Sequence, residues 1–237
     1  MLAAAEVHWW YRGRRRIVRA ELERLDLPEG ARLLDVGCAS GQMLDLLSEF
    51  GSATGVDPDE ESIELARLHG HEVLAAGLPA LPFADGTFAA CTCLDVLEHL
   101  PDDAAALTEL ARVTRPSGAL LVTVPAYEAL WSAHDDANEH LRRYRAGTLK
   151  PQAQRAGWRV ERMTYFNTLL LPAAAAVRLA ERFRHRPRAR EVSDLHLSPP
   201  GLNGALELPL RIEAALLRSG GRLPAGLSLL ALLRRRD

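Results

Sequence analysis

Three cysteines in 237 residues, Cys38, Cys91 and Cys93, fit neither a disulfide framework nor a zinc spacing. Cys91 and Cys93 alternate along an apolar run, which predicts buried thiols. Charge of one sign is not in excess. Lys and Arg number 29 against 31 Asp and Glu, a formal net charge of -2, so no global pull toward nucleic acid is expected. No run reaches the roughly 18 apolar residues that a spanning helix needs, and no apolar signal core opens the sequence. A cytoplasmic protein is expected. Aromatic residues make up only 5%, yet Trp9, Trp10 and Tyr11 stand side by side, next to Arg12, Arg14, Arg15 and Arg16. What remains, 48% hydrophobic and 25% charged, suits one α/β domain with a full core and an appendage.

The chain is organised around Ala31 to Gly41, A-R-L-L-D-V-G-C-A-S-G. A short apolar run ends in a loop of small residues, and Met43, Leu44, Leu46, Leu47 and Phe50 then keep helical spacing. In a strand, glycine turn and helix, small residues let the backbone approach a ligand and the helix N-terminus offers it N–H groups. Asp35 ends the strand, so a carboxylate stands at that edge. Ala53-Thr54-Gly55-Val56-Asp57-Pro58 gives a second short strand with an acid at its tip, where nucleoside-binding βαβ units accept ribose hydroxyls. The glycine pattern is G-x-x-x-G rather than the dinucleotide G-x-G-x-x-G, which favours a nucleoside without a pyrophosphate.

Five blocks in order resemble a class I S-adenosylmethionine-dependent methyltransferase of the small bacterial kind. They are L-L-D-V-G-C-A-S-G, G-V-D-P, Leu81 to Phe88, L-D-V-L-E-H-L at residues 94–100, and Arg115 to Val124. The match spans residues 31 to 165, with Ala39 in place of a usual glycine. The resemblance implies a Rossmann-like, doubly wound seven-stranded sheet of order 3-2-1-4-5-7-6, its last strand antiparallel. The corresponding layout is an N-terminal lid or helical segment over 1–30, a core over 31–166, a helical cover over 167–225 and a final strand with basic tail over 226–237.

The resemblance also implies S-adenosylmethionine as cofactor. It would lie against Asp35, Val36, Gly37, Cys38, Ala39 and Gly41, against Asp57 and Pro58, and against Leu94, Asp95 and His99. Gly77 and Leu78 stand where relatives place an adenine-reading acid, so backbone groups would serve there. From the N-terminal segment, Tyr11 and an arginine, Arg15 ahead of Arg12, would close over the methionine carboxylate. The plainer alternative is a helix that docks its aromatics on the core.

Residues 131–144, W-S-A-H-D-D-A-N-E-H-L-R-R-Y, are poor in apolar side chains and read as a surface loop at the ligand edge. Acceptor-binding candidates are His134, His140, Arg143 and Tyr144, with Tyr127 just before the loop and Trp10 from the N-terminus. Candidate bases are His134, Asp135, His140 and His99, the last with packing as an equal alternative. A His-Asp pair suggests metal, but no third ligand follows at fixed spacing, so no metal is expected. The acceptor is expected to be a small or lipid-linked metabolite rather than nucleic acid. Apolar residues from Leu169 and alternating arginines to Arg190 read as a pocket cover, or as peripheral membrane contact through 169–190. The rival readings are an NAD-dependent oxidoreductase and a cofactor-binding regulator or membrane adaptor without turnover.

Overall fold

A computed structural model of the chain describes residues 8–183 and 203–237. Seven strands form one sheet in the order β3-β2-β1-β4-β5-β7-β6. They are β1 (Arg32–Val36), β2 (Ser52–Asp57), β3 (Glu72–Ala75), β4 (Phe88–Leu94), β5 (Thr114–Pro125), β6 (Trp158–Phe166) and β7 (Ser228–Arg235). β7 runs antiparallel to both β5 and β6, and the pairs among β1 to β5 are parallel. This is the architecture that the resemblance implies.

The central strands are buried on both faces, so they carry near-continuous apolar runs. Every residue of β4, F-A-A-C-T-C-L, is buried, and Cys91 and Cys93 are free thiols in that interior. On one face Cys91 and Cys93 pack with α4 (Asp103–Val113) and α6 (Ala146–Arg155). On the other, Ala90 and Leu94 pack with α1 (Trp9–Leu22), α2 (Leu44–Ser48), α3 (Glu60–Leu68) and α8 (Asn203–Arg218). The alternation of β4 thus assigns the helices to two layers.

Of the stretch 167–225, α7 (Leu171–Phe183) and α8 are described, and the arginines from Arg184 to Arg190 lie outside the described residues. α8 packs along α1. Gly13 permits the contact, since a Cβ there would stand 2.2 Å from Leu210 Cδ1. Glu207 of α8 takes ion pairs from Arg12 at 3.2 Å and Arg16 at 2.9 Å. Glu213 of α8 accepts the backbone N–H groups of Asn167, Thr168 and Leu169 at 2.6 to 3.0 Å, a carboxylate on the orphan donors just ahead of α7. A buried pair, Glu21 with Arg162 at 3.1 Å, ties α1 to β6. Among the described residues, no helix is long and apolar enough to cross a membrane.

Candidate active site

The C-terminal edge of the parallel strands is where an open α/β sheet receives a ligand, at the point where strand order reverses between β1 and β4. β1 ends at Val36, and Gly37 follows with φ +77°. A Cβ at Gly37 would stand 2.3 Å from Val96 Cγ2, so any side chain there would push the loop off the segment after β4. The N–H groups of Gly37 and Cys38 both donate to Val56 O, at 2.8 and 3.1 Å, which binds the loop to β2. Ala39 takes φ +45°, so the residue standing in place of a glycine is held in the left-handed region.

Asp57 at the tip of β2 is fixed by this loop. Its Oδ2 accepts the Ala39 N–H and its Oδ1 the Asp59 N–H, both at 2.9 Å. Each carboxylate oxygen keeps a further lone pair for a ligand hydroxyl. Asp35 is buried and accepts the Thr92 hydroxyl at 2.6 Å. Burial pushes its carboxyl up to about 6, against the Thr92 hydrogen bond and Arg14 and with help from the Asp57 charge. Unfolded aspartate titrates near about 3.9, so the fold holds this proton more tightly. Its stabilising effect is complete below the unfolded value and disappears as pH rises through about 6. The Asp35→Asn variant should therefore gain on the parent by up to about 3 kcal/mol between pH 4 and pH 8. Urea denaturation of both proteins across that range checks this, and a constant difference would contradict it.

α1 delivers Arg14, not Arg15, to this edge. Arg14 Nη1 donates to Asp95 Oδ2 at 2.6 Å with its guanidinium 5.5 Å from the Tyr11 ring, and Thr123 holds the other Asp95 oxygen at 3.1 Å. Arg15 faces away, 3.9 Å from Glu49, while Arg12 serves Glu207. Trp10 stacks on Phe166, ring centroids 5.8 Å apart, so part of the aromatic run is core packing. Pro58 borders Gly77, whose Cβ would lie 3.5 Å from the proline ring. Leu94 is buried and Leu78 packs against the core at its rim.

The 131–144 stretch is not the exposed loop that its composition predicts. It contains a short helix, α5 (Ala133–Ala137), and Asp135 is fully buried. Asp135 accepts Ser132 N–H at 2.8 Å, the Ser132 hydroxyl at 3.2 Å, His140 Nδ1 at 2.9 Å, and Arg143 Nε and Nη2 both at 2.8 Å. Burial pushes this carboxyl up, but the hydrogen bonds from His140 and Arg143 outweigh it and hold it well below the usual carboxylate range. Arg143 is spent on Asp135 and on Ala126 O at 3.0 Å. Tyr144 is buried too, and its hydroxyl donates to Asp103 at 2.8 Å. Both of these acceptor candidates are pinned inside the fold. Tyr127 lies flat on Tyr165, centroids 5.2 Å apart.

Because a carboxylate only accepts, His140 donates its Nδ1 hydrogen to Asp135 and leaves the Nε2 lone pair open. The Leu141 N–H donates to Glu98 O at 2.7 Å, which sets this loop beside the turn Leu97–His99. The rings of His99 and His140 then meet edge to face at 4.8 Å, and those of His134 and His140 at 6.0 Å. His99 is pushed down by burial and then by His140, so it stands neutral near pH 7. Asn138 holds His134 through its side chain at 3.2 Å. Glu98 is buried, and among the described residues neither carboxylate oxygen has a hydrogen-bond partner. Burial, then Asp95, pushes it well above the ordinary carboxylate value. Thr92, Arg14 and the isolation of the Glu98 oxygens are features that motif reading missed.

The fold is that of the class I S-adenosylmethionine-dependent methyltransferases. The family model described as a methyltransferase domain matches residues 9–162, and the chain belongs to that family. A ubiquinone biosynthesis O-methyltransferase of Xanthomonas oryzae pv. oryzae is 37% identical over 108 residues, 42% of this chain and 45% of the relative. The chain thus matches less than half the length of that curated relative. A putative methyltransferase from Bacillus halodurans aligns with TM-score 0.62 and 19% identity over 92% of this chain and 99% of its own. The [4+2]-cyclase SpnF aligns with TM-score 0.61 and 22% identity over 94% of this chain and 80% of its own. Such likenesses show the fold alone; the reaction has to be argued from the site.

Proposed function

We propose that the chain binds S-adenosylmethionine at the β1–β2–β4 edge and moves its methyl group to a hydroxyl of a small-molecule or lipid-linked acceptor. The observation that carries this reading is the pair of polar stations at one edge, Asp57 at the tip of β2 against the glycine loop and the Asp135-buttressed His140 beside His99 and Glu98. The residues present suit the cofactor. Asp57 offers carboxylate lone pairs to two ribose hydroxyls, and the loop from Gly37 to Gly41 is small enough to let a ligand touch backbone. Tyr11 and Arg14, rather than Arg15, bring an aromatic face and a cation from α1 to the same edge. Bound there, the cofactor would supply an electrophilic sulfonium methyl with a neutral thioether as leaving group.

The chain's own part is to hold the acceptor in line, exclude water and receive a proton. The Glu98, His99 and His140 wall is where that proton leaves, with His140 Nε2 the lone pair kept open by Asp135. The name of the Xanthomonas relative favours oxygen over nitrogen or carbon as the nucleophile. The test is methyl transfer from labelled S-adenosylmethionine to a panel of phenols, catechols and hydroxylated lipids. His140→Ala should lower kcat by roughly 100-fold or more while leaving cofactor affinity nearly unchanged. An unchanged kcat would remove His140 from the chemistry.

A further inference from the structure

The least comfortable group in the described structure is Glu98. It is buried, and among the described residues its two oxygens meet no donor. A buried carboxyl without partners is expensive, and such groups are normally hydrogen-bonded, paired or bound to a metal. Around it, Glu98, His99 and His140 bring one potential ligand atom each within 4.8 Å of one another. We propose that these three side chains form a binding site for one divalent transition-metal cation.

The donor set is two imidazoles and one carboxylate, which suits zinc, cobalt or manganese rather than the all-oxygen set of calcium or magnesium. Ligands at about 2.0 to 2.2 Å from one ion stand about 3 to 4 Å apart. Glu98 and His140 are held inside the fold, and His99 is the exposed member of the three. The surroundings match those of metal ligands. The His140 Nδ1 hydrogen is given to Asp135, which aims the Nε2 lone pair away from that carboxylate, and Asp135 is in turn held by Arg143 and Ser132. Three protein ligands with one exposed side leave an open position, as in catalytic rather than structural sites.

The inference deepens the function proposed above and rests on it for one consequence only. With the cation in place, an acceptor hydroxyl takes the open position as an oxygen ligand and gives its proton to water, and its lone pair attacks the methyl carbon as the carbon–sulfur bond breaks. The cation then takes the His140 Nε2 lone pair that the function proposed above gives to the proton, so the inference replaces the base role of His140 with that of a ligand, and turnover depends on the cation.

The test uses tag-free protein stripped with a chelator and titrated with Co2+, read by bound-metal analysis and by the visible absorption of the ion. One Co2+ per chain is expected. His140→Ala and Glu98→Gln should each weaken it at least tenfold. Asp135→Asn, which leaves the three ligands intact, should weaken it by about 10- to 100-fold. If Glu98→Gln does not fold, His99→Ala at the exposed position gives the same reading. No saturable Co2+ binding, or binding that His140→Ala and His99→Ala leave unchanged, would overturn the site. S-adenosylmethionine affinity measured on the same samples separates the two claims. Cofactor binding without Co2+ sinks the metal site alone, and Co2+ binding without the cofactor sinks the cofactor reading alone.

Discussion

Replacing Asp57 by alanine should weaken S-adenosylmethionine binding by about 100-fold, since hydrogen bonds to a charged group contribute about 1.5 to 3 kcal/mol each and about 2.7 kcal/mol is a factor of 100. The carboxylate does two things. It would receive ribose hydroxyls, and it already holds the Ala39 and Asp59 N–H groups at 2.9 Å, which keeps the loop after β1 against β2. The alanine variant removes both. Asp57→Asn separates them, because its amide oxygen can still accept the Ala39 N–H while the charge is gone. The asparagine variant should therefore keep the loop and recover only part of the affinity. Titration calorimetry on the three proteins reads this directly. Equal affinity across all three would mean that the ribose is not held at β2.

The second large effect is on stability. Asp135 has no exposed surface and is the common acceptor of Ser132, His140 and Arg143, whose own side chain is 3% exposed. Asp135→Ala would leave a guanidinium inside the protein without its counter-charge. Removing one partner of a buried pair typically destabilises by about 3 to 5 kcal/mol, more than the pair is worth against an apolar replacement. Urea denaturation at pH 7 should show a loss of that size, and Asp135→Asn, which keeps one acceptor oxygen, a smaller one. A loss below about 1 kcal/mol, the level of an exposed pair, would show that Arg143 finds water or another acceptor.

Most of the sheet was legible because its signals are local. The β4 run F-A-A-C-T-C-L is buried throughout, as a strand covered on both sides can be, and the acids Asp35, next to last in β1, and Asp57, last in β2, mark the ligand edge. Arg14 was also within reach. Counting back three or four residues from the buried Ile17 lands on Arg14 and Gly13, and one further turn on Tyr11 and Trp10. Arg15 lies off that face, beside Glu49.

The polar loop was misread because composition reports affinity for water and cannot see partners. Asp135 looks exposed in a string of His, Asp, Asn and Arg, yet five hydrogen bonds make its burial tolerable. The Ser132-x-x-Asp135 spacing was the available hint of a helix start. The place of α8 along α1 depends on Gly13 meeting Leu210 across the fold, a contact that no local pattern announces. The isolation of Glu98 is likewise a fact about its neighbours and invisible in L-D-V-L-E-H-L.

The central claim is that this edge takes S-adenosylmethionine. Calorimetric titration of the purified protein with S-adenosylmethionine, S-adenosylhomocysteine and NAD tests it most directly. Saturable binding of both adenosyl ligands and none of NAD is expected. Binding of NAD with silence from the other two would contradict it.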